Sequence, residues 1–300
     1  MGASVTMDGF VFARKILGNV SHGCFHARIQ PLRRQPEIPT PSNVIFFPRS
    51  STWAIPEGRE RYLCDPGLVS FWSRGQVCLR EPAASGQVDG EWFAFAPDVA
   101  VELVAEADRG ALWSSRWLFR RQSAAVGAEL FWRQRRLSAA IQAGRCEREQ
   151  TIEAILCLAA DCLQLGATRA ATSSARDSEL VEAIRLQIAS DPAARPGLAE
   201  MARTAGVGMV TLCTSFRRVT GRSIHAYRLD LRLKLALERL ERSTDDLSRV
   251  ALELGFDSHS HFSRHFRDRF GVAPSRARAD LRVLGGLRLK ERDSGGSRRR

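Results

Sequence analysis

The sequence predicts an α+β chain of two domains, and three observations carry that prediction. β-rich runs broken by Gly and Pro come first, and helical periodicity takes over after about residue 107. A helix-turn-helix pattern then occurs twice in the last third of the chain. Finally, of a formal net charge of +12, a net +9 falls in residues 176–300, where 25 Lys and Arg face 16 Asp and Glu. A chain of 300 residues is long enough for two cores. The basic excess beside the repeated motif points to an anionic partner.

The N-terminal region reads as a small barrel or sandwich. Residues 43–48 (NVIFFP), 52–55, 68–72, 77–80 and 91–95 (EWFAF) are β-rich, with Pro66-Gly67, Gly75 and Pro97 as punctuation. The first forty residues give no clear period, and 33–41 reads as loop. The barrel is expected to end near residue 105, with helices over 107–165. Residues 123–143 carry an apolar stripe of Val126, Leu130, Phe131 and Leu137, and residues 147–165 place Ile152, Ile155, Leu156, Ala159 and Leu163 on one face. Gly144 between them makes an antiparallel hairpin. Its stripe either covers the barrel or pairs with a second copy of the chain, and the two readings look alike in sequence.

Residues 166–177 (GATRAATSSARD) are small and polar, a linker composition. The expected organisation is therefore a regulatory or dimerisation domain over 1–165, the linker, a DNA-binding domain over 178–284 and a disordered basic tail over 285–300. A helix from Ser178 to Ser190 opens the second domain, with Leu180, Ile184 and Ile188 inward.

Seven cysteines show no C-x-x-C pair and no framework spacing, and their odd total, with no signal-peptide pattern, leads us to expect a reducing cytoplasm. Cys157 and Cys162 sit in an apolar helical pattern and read as buried thiols. No apolar run is long enough to span a bilayer, so no membrane partner is expected. Between His26 and His225 there is no His, which argues against a metal-holding barrel enzyme. Nucleophile–base sets, phosphate-binding Gly loops and paired carboxylates are likewise missing, and neither catalysis nor a cofactor is expected. His261 and His265 have metal-capable i, i+4 spacing without a third ligand nearby in the sequence, so DNA contact and helix packing explain them better. Trp53, Trp72 and Trp92 either line a small-molecule pocket or fill the core, the commoner outcome.

The repeated motif carries the chemistry. LAEMARTAG runs from Leu198 to Gly206, and LSRVALELG from Leu247 to Gly255, forty-nine positions later. Ala202 and Ala251 let a second helix cross closely, and Gly206 and Gly255 can take the φ > 0 turn between helices. The offset then becomes fifty, with Leu212, Phe216 and Gly221 matching Phe262, Phe266 and Gly271, so the second turn holds one extra residue. Residues 198–205 and 247–254 are the first helices, and 209–219 and 258–270 are the recognition helices. Residues 223–242 form a joining helix with Ile224, Tyr227, Leu231, Leu235 and Leu240 inward. Twenty helical residues span about 30 Å. One turn of B-DNA advances about 34 Å, so such a helix could hold two recognition helices in successive major grooves. A shortfall in spacing would require the DNA to bend.

At these residues the chain resembles the AraC/XylS family of bacterial transcription regulators. The resemblance rests on LAEMARTAG, LCTSFRRVTGRS, the joining helix and RVALELGFDSHSHFSRHFRDRFGVAPSRAR, at their mutual spacing. It implies an N-terminal cupin-like β-barrel with a helical pair, serving dimerisation or effector binding. It also implies an all-α C-terminal domain that binds double-stranded DNA and recruits RNA polymerase, with a homodimer as the assembly. Carried over by position, base-facing sites fall on Val210, Thr211, Cys213 and Thr214 in the first unit. In the second they fall on His259, Ser260, His261, Ser263 and Arg264. Many members place Arg near Thr214, so here the first helix suits thymine methyls, while Arg264 could take guanine in a bidentate pair. Arg217, Arg218, Arg222, Arg267 and Arg269 are expected to anchor phosphates. Ala277 stands where the family usually has an aromatic residue.

The sequence thus points to a sequence-specific transcriptional regulator, an activator in the family's usual mode, with a small-molecule effector as an expected partner of its N-terminal domain. One alternative is an architectural protein that bends DNA with little sequence choice. The other is a barrel enzyme fused to a DNA-binding module.

Overall fold

Alternating apolar residues in the first hundred positions build two antiparallel sheets. In chain order the strands are β1 (Ala3–Met7), β2 (Phe10–Leu17), β3 (Val20–Arg28), β4 (Asn43–Pro48), β5 (Thr52–Pro56), β6 (Tyr62–Cys64), β7 (Leu68–Trp72), β8 (Cys78–Pro82), β9 (Gln87–Phe95) and β10 (Ser123–Ala125). One sheet runs β1-β2-β3-β9-β4-β7-β10 and the other β6-β5-β8. This computed structural model describes residues 3–7, 10–28, 39–83, 87–107, 116–145, 147–165 and 175–285.

β4 shows how the sheets stack, since all its residues are buried. Val44 and Phe46 share a cluster with Ala54, Tyr62 and Cys64 of the small sheet, while Ile45 and Phe47 join the core under the helices. Trp72 belongs to the inter-sheet cluster and Trp92 packs half-buried against it, whereas Trp53 is half-buried outside it with Arg61 4.8 Å from its ring. The Arg80 guanidinium fills the remaining space, 4.3 Å from the Trp72 ring and 5.0 Å from Phe46. Phe46 also lies so close to Gly90 that a Cβ there would come within 2.1 Å of its ring.

The helices are α1 (Pro97–Ala107), α2 (Ala128–Gln142), α3 (Arg148–Gln164), α4 (Ala175–Ser190), α5 (Leu198–Thr204), α6 (Met209–Thr220), α7 (Ile224–Arg242), α8 (Leu247–Glu253), α9 (His259–Phe270) and α10 (Pro274–Gly285). None is long and apolar enough to cross a membrane.

Four expectations need correction. The sheet region does not run on to 105: α1 begins at Pro97, where a proline without an N–H fits the first helical turn, and Ala100 and Val104 are buried. Residues 123–125 are not helical, because they pair with Leu68–Ser70 as the edge strand β10. Residues 175–177 belong to α4 rather than a linker, since Asp177 accepts from Ser215 and pairs with Arg218 of α6; the rest of the linker and the tail after 285 lie outside the described residues. Cys157 is exposed on the outer face of α3, whereas Cys162 is buried.

The α2–α3 hairpin turns at Gly144 (φ 67°), and its stripe is used within the chain. Ile155, Ala159 and Cys162 are buried, with Ile152, Leu156 and Leu163 half-buried against the same core. α2 is the seam of the molecule, packing on α3 on one side and on α7, α9 and α10 on another. Trp132 meets Phe270 at 6.4 Å between ring centroids. Lys234 of α7, fully buried, donates to the Val126 carbonyl (2.7 Å) and pairs with Asp230 (2.8 Å).

Beside these contacts lies a buried charge cluster. Arg135 of α2 pairs with Glu91 of β9 at 2.8 Å and with Glu241 of α7; Arg49 pairs with Glu238 of α7 at 2.7 Å and also with Glu241. Three carboxylates thus share two guanidiniums. Burial, reinforced by Glu241 and Glu91, pushes the Glu238 carboxyl up to about 7 despite Arg49. The first half of the C-terminal region is tied differently: Arg185 of α4 donates to Asp65 (2.6 Å) and the Leu63 carbonyl (2.9 Å), and Tyr227 of α7 donates to Asp65 (2.6 Å).

Candidate nucleic-acid interface

Each helix-turn-helix unit is built from the predicted residues. α5 and α6 flank residues 205–208, and α8 and α9 flank 254–258, so the extra residue does sit in the second turn. Gly206 (φ 66°) and Gly255 (φ 77°) make those turns in the left-handed region. Ala202 and Ala251 are buried at the helix crossings, and Leu212, Phe216, Phe262 and Phe266 are fully buried. With those side chains inward, the opposite face of each recognition helix is turned to solvent. The Ser258 hydroxyl caps α9 by accepting from the His261 N–H (3.1 Å), whereas α6 starts at Gly208 without a side-chain cap.

On α6, Val210, Thr211, Thr214, Arg217 and Arg218 are exposed and Cys213 is half-buried. Val210, at 77% exposure, is the most open large apolar side chain described. The Thr214 hydroxyl donates back to the Val210 carbonyl (2.8 Å), so its proton is engaged within the helix. Arg218 pairs with Asp177 (3.1 Å) and Arg222, beyond the helix end, with Asp230 (2.9 Å). Arg217 has no ion pair or hydrogen bond among the described residues.

On α9, His259, Ser260, Arg264 and Arg267 are exposed, and His261 and Ser263 are half-buried. Ser263 meets His259 at 3.2 Å, and His261 meets His265 at 2.8 Å and Asp257 at 3.4 Å. Arg264 and Arg267 have no such partner among the described residues. The expected anchors therefore divide: among the described residues Arg217 and Arg267 are unengaged, while Arg218, Arg222 and Arg269 already hold carboxylates.

Sequence reasoning missed the residues that fix the two units to each other. Asp230, buried on α7, takes Arg222, Lys234 and Arg269 together. Burial opposes its charge, yet these three cations hold its carboxyl below the ordinary range. Arg232 donates to the carbonyls of Pro192 (2.5 Å), Ala193 (3.1 Å), Ala194 (3.1 Å) and Gly255 (3.1 Å). Arg195 pairs with Asp257 (2.6 Å) and donates to the Gly255 carbonyl. These bonds clamp the segment before α5 onto the turn before α9. Arg228 and Arg232, at i, i+4 on the joining helix with His225 one turn earlier, were a signal visible in the sequence. α7 itself has 19 residues, or about 28 Å at 1.5 Å each.

Residues 201–280 match the family described as "Helix-turn-helix domain". An HTH-type transcriptional regulator of Escherichia coli K12, YidL, itself uncharacterized, is 40% identical over 81 residues, 27% of each chain. The HTH-type transcriptional regulator ExsA of Pseudomonas aeruginosa is 36% identical over 81 residues, 27% of this chain and 29% of that one. The match thus spans little more than a quarter of either relative. Among solved structures, a transcriptional regulator with an AraC-type DNA-binding domain from Chromobacterium violaceum is 24% identical over 36% of this chain and 96% of that one, with a TM-score of 0.34.

Proposed function

We propose that this chain, whose C-terminal part is an AraC-type helix-turn-helix domain, is a sequence-specific transcriptional regulator that reads duplex DNA with α6 and α9. The observation that carries the reading is a pair of recognition helices with fully buried inner side chains and open outer faces, in two units that Arg232 and Arg195 join by clamping the segment before α5 onto the turn before α9. Such a pair can enter two major-groove segments at a set spacing. Ser260, Ser263, His259, His261 and Arg264 supply direct readout, while Val210, Thr211, Cys213 and Thr214 supply mostly apolar contact. Arg217 and Arg267 anchor phosphates, and Arg218, Arg222 and Arg269 do so only by releasing Asp177 and Asp230.

The finer parts of the proposal rest on the family resemblance. They are activation by recruiting RNA polymerase in the cytoplasm, assembly as a homodimer, and a small-molecule effector acting through a cupin-like N-terminal domain over 1–165. The space between the two sheets is taken by Phe46, Trp72 and Arg80, so we place the effector outside that inter-sheet core. A second reading, an architectural DNA-bending protein, is favoured by one observation: α6 shows Met209 and Val210 to solvent in place of strong donors.

Selection of random duplexes by the full-length protein, followed by footprinting, tests both. Two enriched elements about one helical turn apart, the sharper one under α9, are the expected result. Tight binding without enrichment would favour the architectural reading.

A further inference from the structure

A cavity of about 200 Å³ opens where the segment before α5, the first turns of α7 and the start of α9 meet. Its wall carries Arg195, Arg228, Arg232, His225, His261 and His265, against a single carboxylate, Asp257. Two of the guanidiniums are occupied, Arg195 by Asp257 and a carbonyl, Arg232 by four carbonyls. Arg228 is different. Its one acceptor among the described residues is the Met201 thioether at 3.2 Å, a weak acceptor that brings no charge.

The charge balance agrees. Burial and Arg195 lower the Arg228 pKa, and burial with Arg195 and Arg228 pushes Arg232 down to about 10. Burial, His261 and Arg264 lower His265 in the same sense, with Asp268 opposing and His225 adding to it. The pocket holds more positive charge than Asp257 can balance, which is the electrostatic signature of an anion site.

We propose that this cleft binds a phosphate of the duplex backbone between the two recognition helices, with Arg228 as the principal donor and His225 and His265 beside it. The assignment rests on the DNA-binding reading above. It commits to the duplex because the cleft lies along the joining helix and shares His261 with the α9 surface assigned to DNA. A guanidinium fork suits phosphate oxygens, and the clamp of Arg195 and Arg232 sets the wall before the anion arrives. A contact there would tie both units to one strand without reading sequence.

The test is a titration of a selected duplex and a scrambled one with the full chain, across a salt series, for the wild type, Arg228→Ala, Arg228→Lys and His225→Glu. Arg228→Ala is expected to weaken both duplexes by the same factor, about tenfold, and to reduce the slope of log K against log salt by about one. Arg228→Lys should keep the slope. His225→Glu, on an exposed position where folding is not at stake, should weaken both duplexes more. Unchanged melting temperatures certify folding. If Arg228→Ala and His225→Glu both bind like the wild type, the site is overturned and the DNA-binding reading stands. A wild type that binds no duplex overturns both. Millimolar inorganic phosphate that raises the melting temperature of the wild type and not of Arg228→Ala, with duplex binding equal in the two, overturns the duplex as the source of the phosphate.

Discussion

The two helix-turn-helix units share their inner architecture and differ in the start of the recognition helix, its outer face and its flank. In both, an alanine lies at the helix crossing and a glycine turns the chain with φ near 70°. The first turn is open, with nothing within 4 Å of where a Cβ at Gly206 would lie; the second is pressed against the chain, and a Cβ at Gly255 would meet the Ala193 carbonyl oxygen at 2.6 Å. α6 begins uncapped and shows Met209 and Val210, whereas α9 is capped by Ser258 and shows His259, Ser260 and Arg264. α4 flanks the first unit, while α2 lies against the second. Helix crossing constrains the core and the turn in both copies. Nothing in the crossing constrains the outer face or the flank, so those are where one unit can become the reader and docking point.

The largest effect should come from the seam. Arg135→Ala would leave Glu91, Glu238 and Glu241 buried with Arg49 as the one buried guanidinium paired with them, a change expected to cost about 3–5 kcal/mol. Arg218→Ala breaks only the half-exposed pair with Asp177 on the first unit, expected to cost under about 1 kcal/mol. Denaturant unfolding of the full chain measures both. Equal losses would remove the claim that the second unit is the anchored one.

The turns give the next contrast. Alanine at either glycine must adopt the left-handed conformation, at about 1–2 kcal/mol. Gly255→Ala must also move the 192–195 segment or the Arg232 guanidinium, adding about 1–3 kcal/mol of overpacking. Gly206→Ala should therefore unfold later in urea than Gly255→Ala. The reverse order would mean that the clamp between the units is soft.

Recognition chemistry separates the units more finely. Arg264→Ala should lose about 1–3 kcal/mol at the selected site and relax the base choice there. Arg217→Ala should weaken all duplexes alike and flatten the salt dependence by about one unit of slope. Fluorescence titrations on matched and mismatched duplexes distinguish these, and identical behaviour would dissolve the division into reader and anchor.

How much of this was legible depends on how local the signal is. The repeat was readable to within one residue at each helix end because Gly206, Gly255 and the i, i+4 pairs Leu212/Phe216 and Phe262/Phe266 are set by neighbours a turn away. The joining helix was readable for the same reason, although its pattern did not reveal that Asp230, Arg232, Lys234 and Glu238 are buried too. Among their partners are residues 23 and 189 positions away, Gly255 for Arg232 and Arg49 for Glu238, and no period encodes a distant partner. β10 failed for a related reason: SAA has little strand character, and pairing with β7 decides it. The residues proposed for direct readout were named from resemblance, and their place on the outer face, exposed or half-buried, follows from the apolar pairs opposite them. The cationic cleft went unread because its arginines were treated as gaps in an apolar pattern rather than as a stripe.

The smallest effect is one of pH, and it too should distinguish the flanks. Glu238 ordinarily would titrate near 4.5, but burial and its carboxylate neighbours raise it to about 7 in the folded chain. Between those values the folded chain holds a proton that the unfolded chain does not, so its contribution to stability is full below 4.5 and lost as pH rises through about 7. The wild type should melt lower at pH 7.5 than at pH 5.5 by an amount that Glu238→Gln reduces, because glutamine stays neutral throughout. One kcal/mol corresponds to about 2–4 °C for chains somewhat shorter than this one, so the difference is measurable by calorimetry. Amide exchange adds the location: protection in α2 should drop over this interval after correction for intrinsic rates, while α4, held by the Arg185–Asp65–Tyr227 contacts, should keep its protection. Equal changes in α2 and α4 would assign the pH dependence to the chain as a whole and break the link between Glu238 and the seam on the second unit.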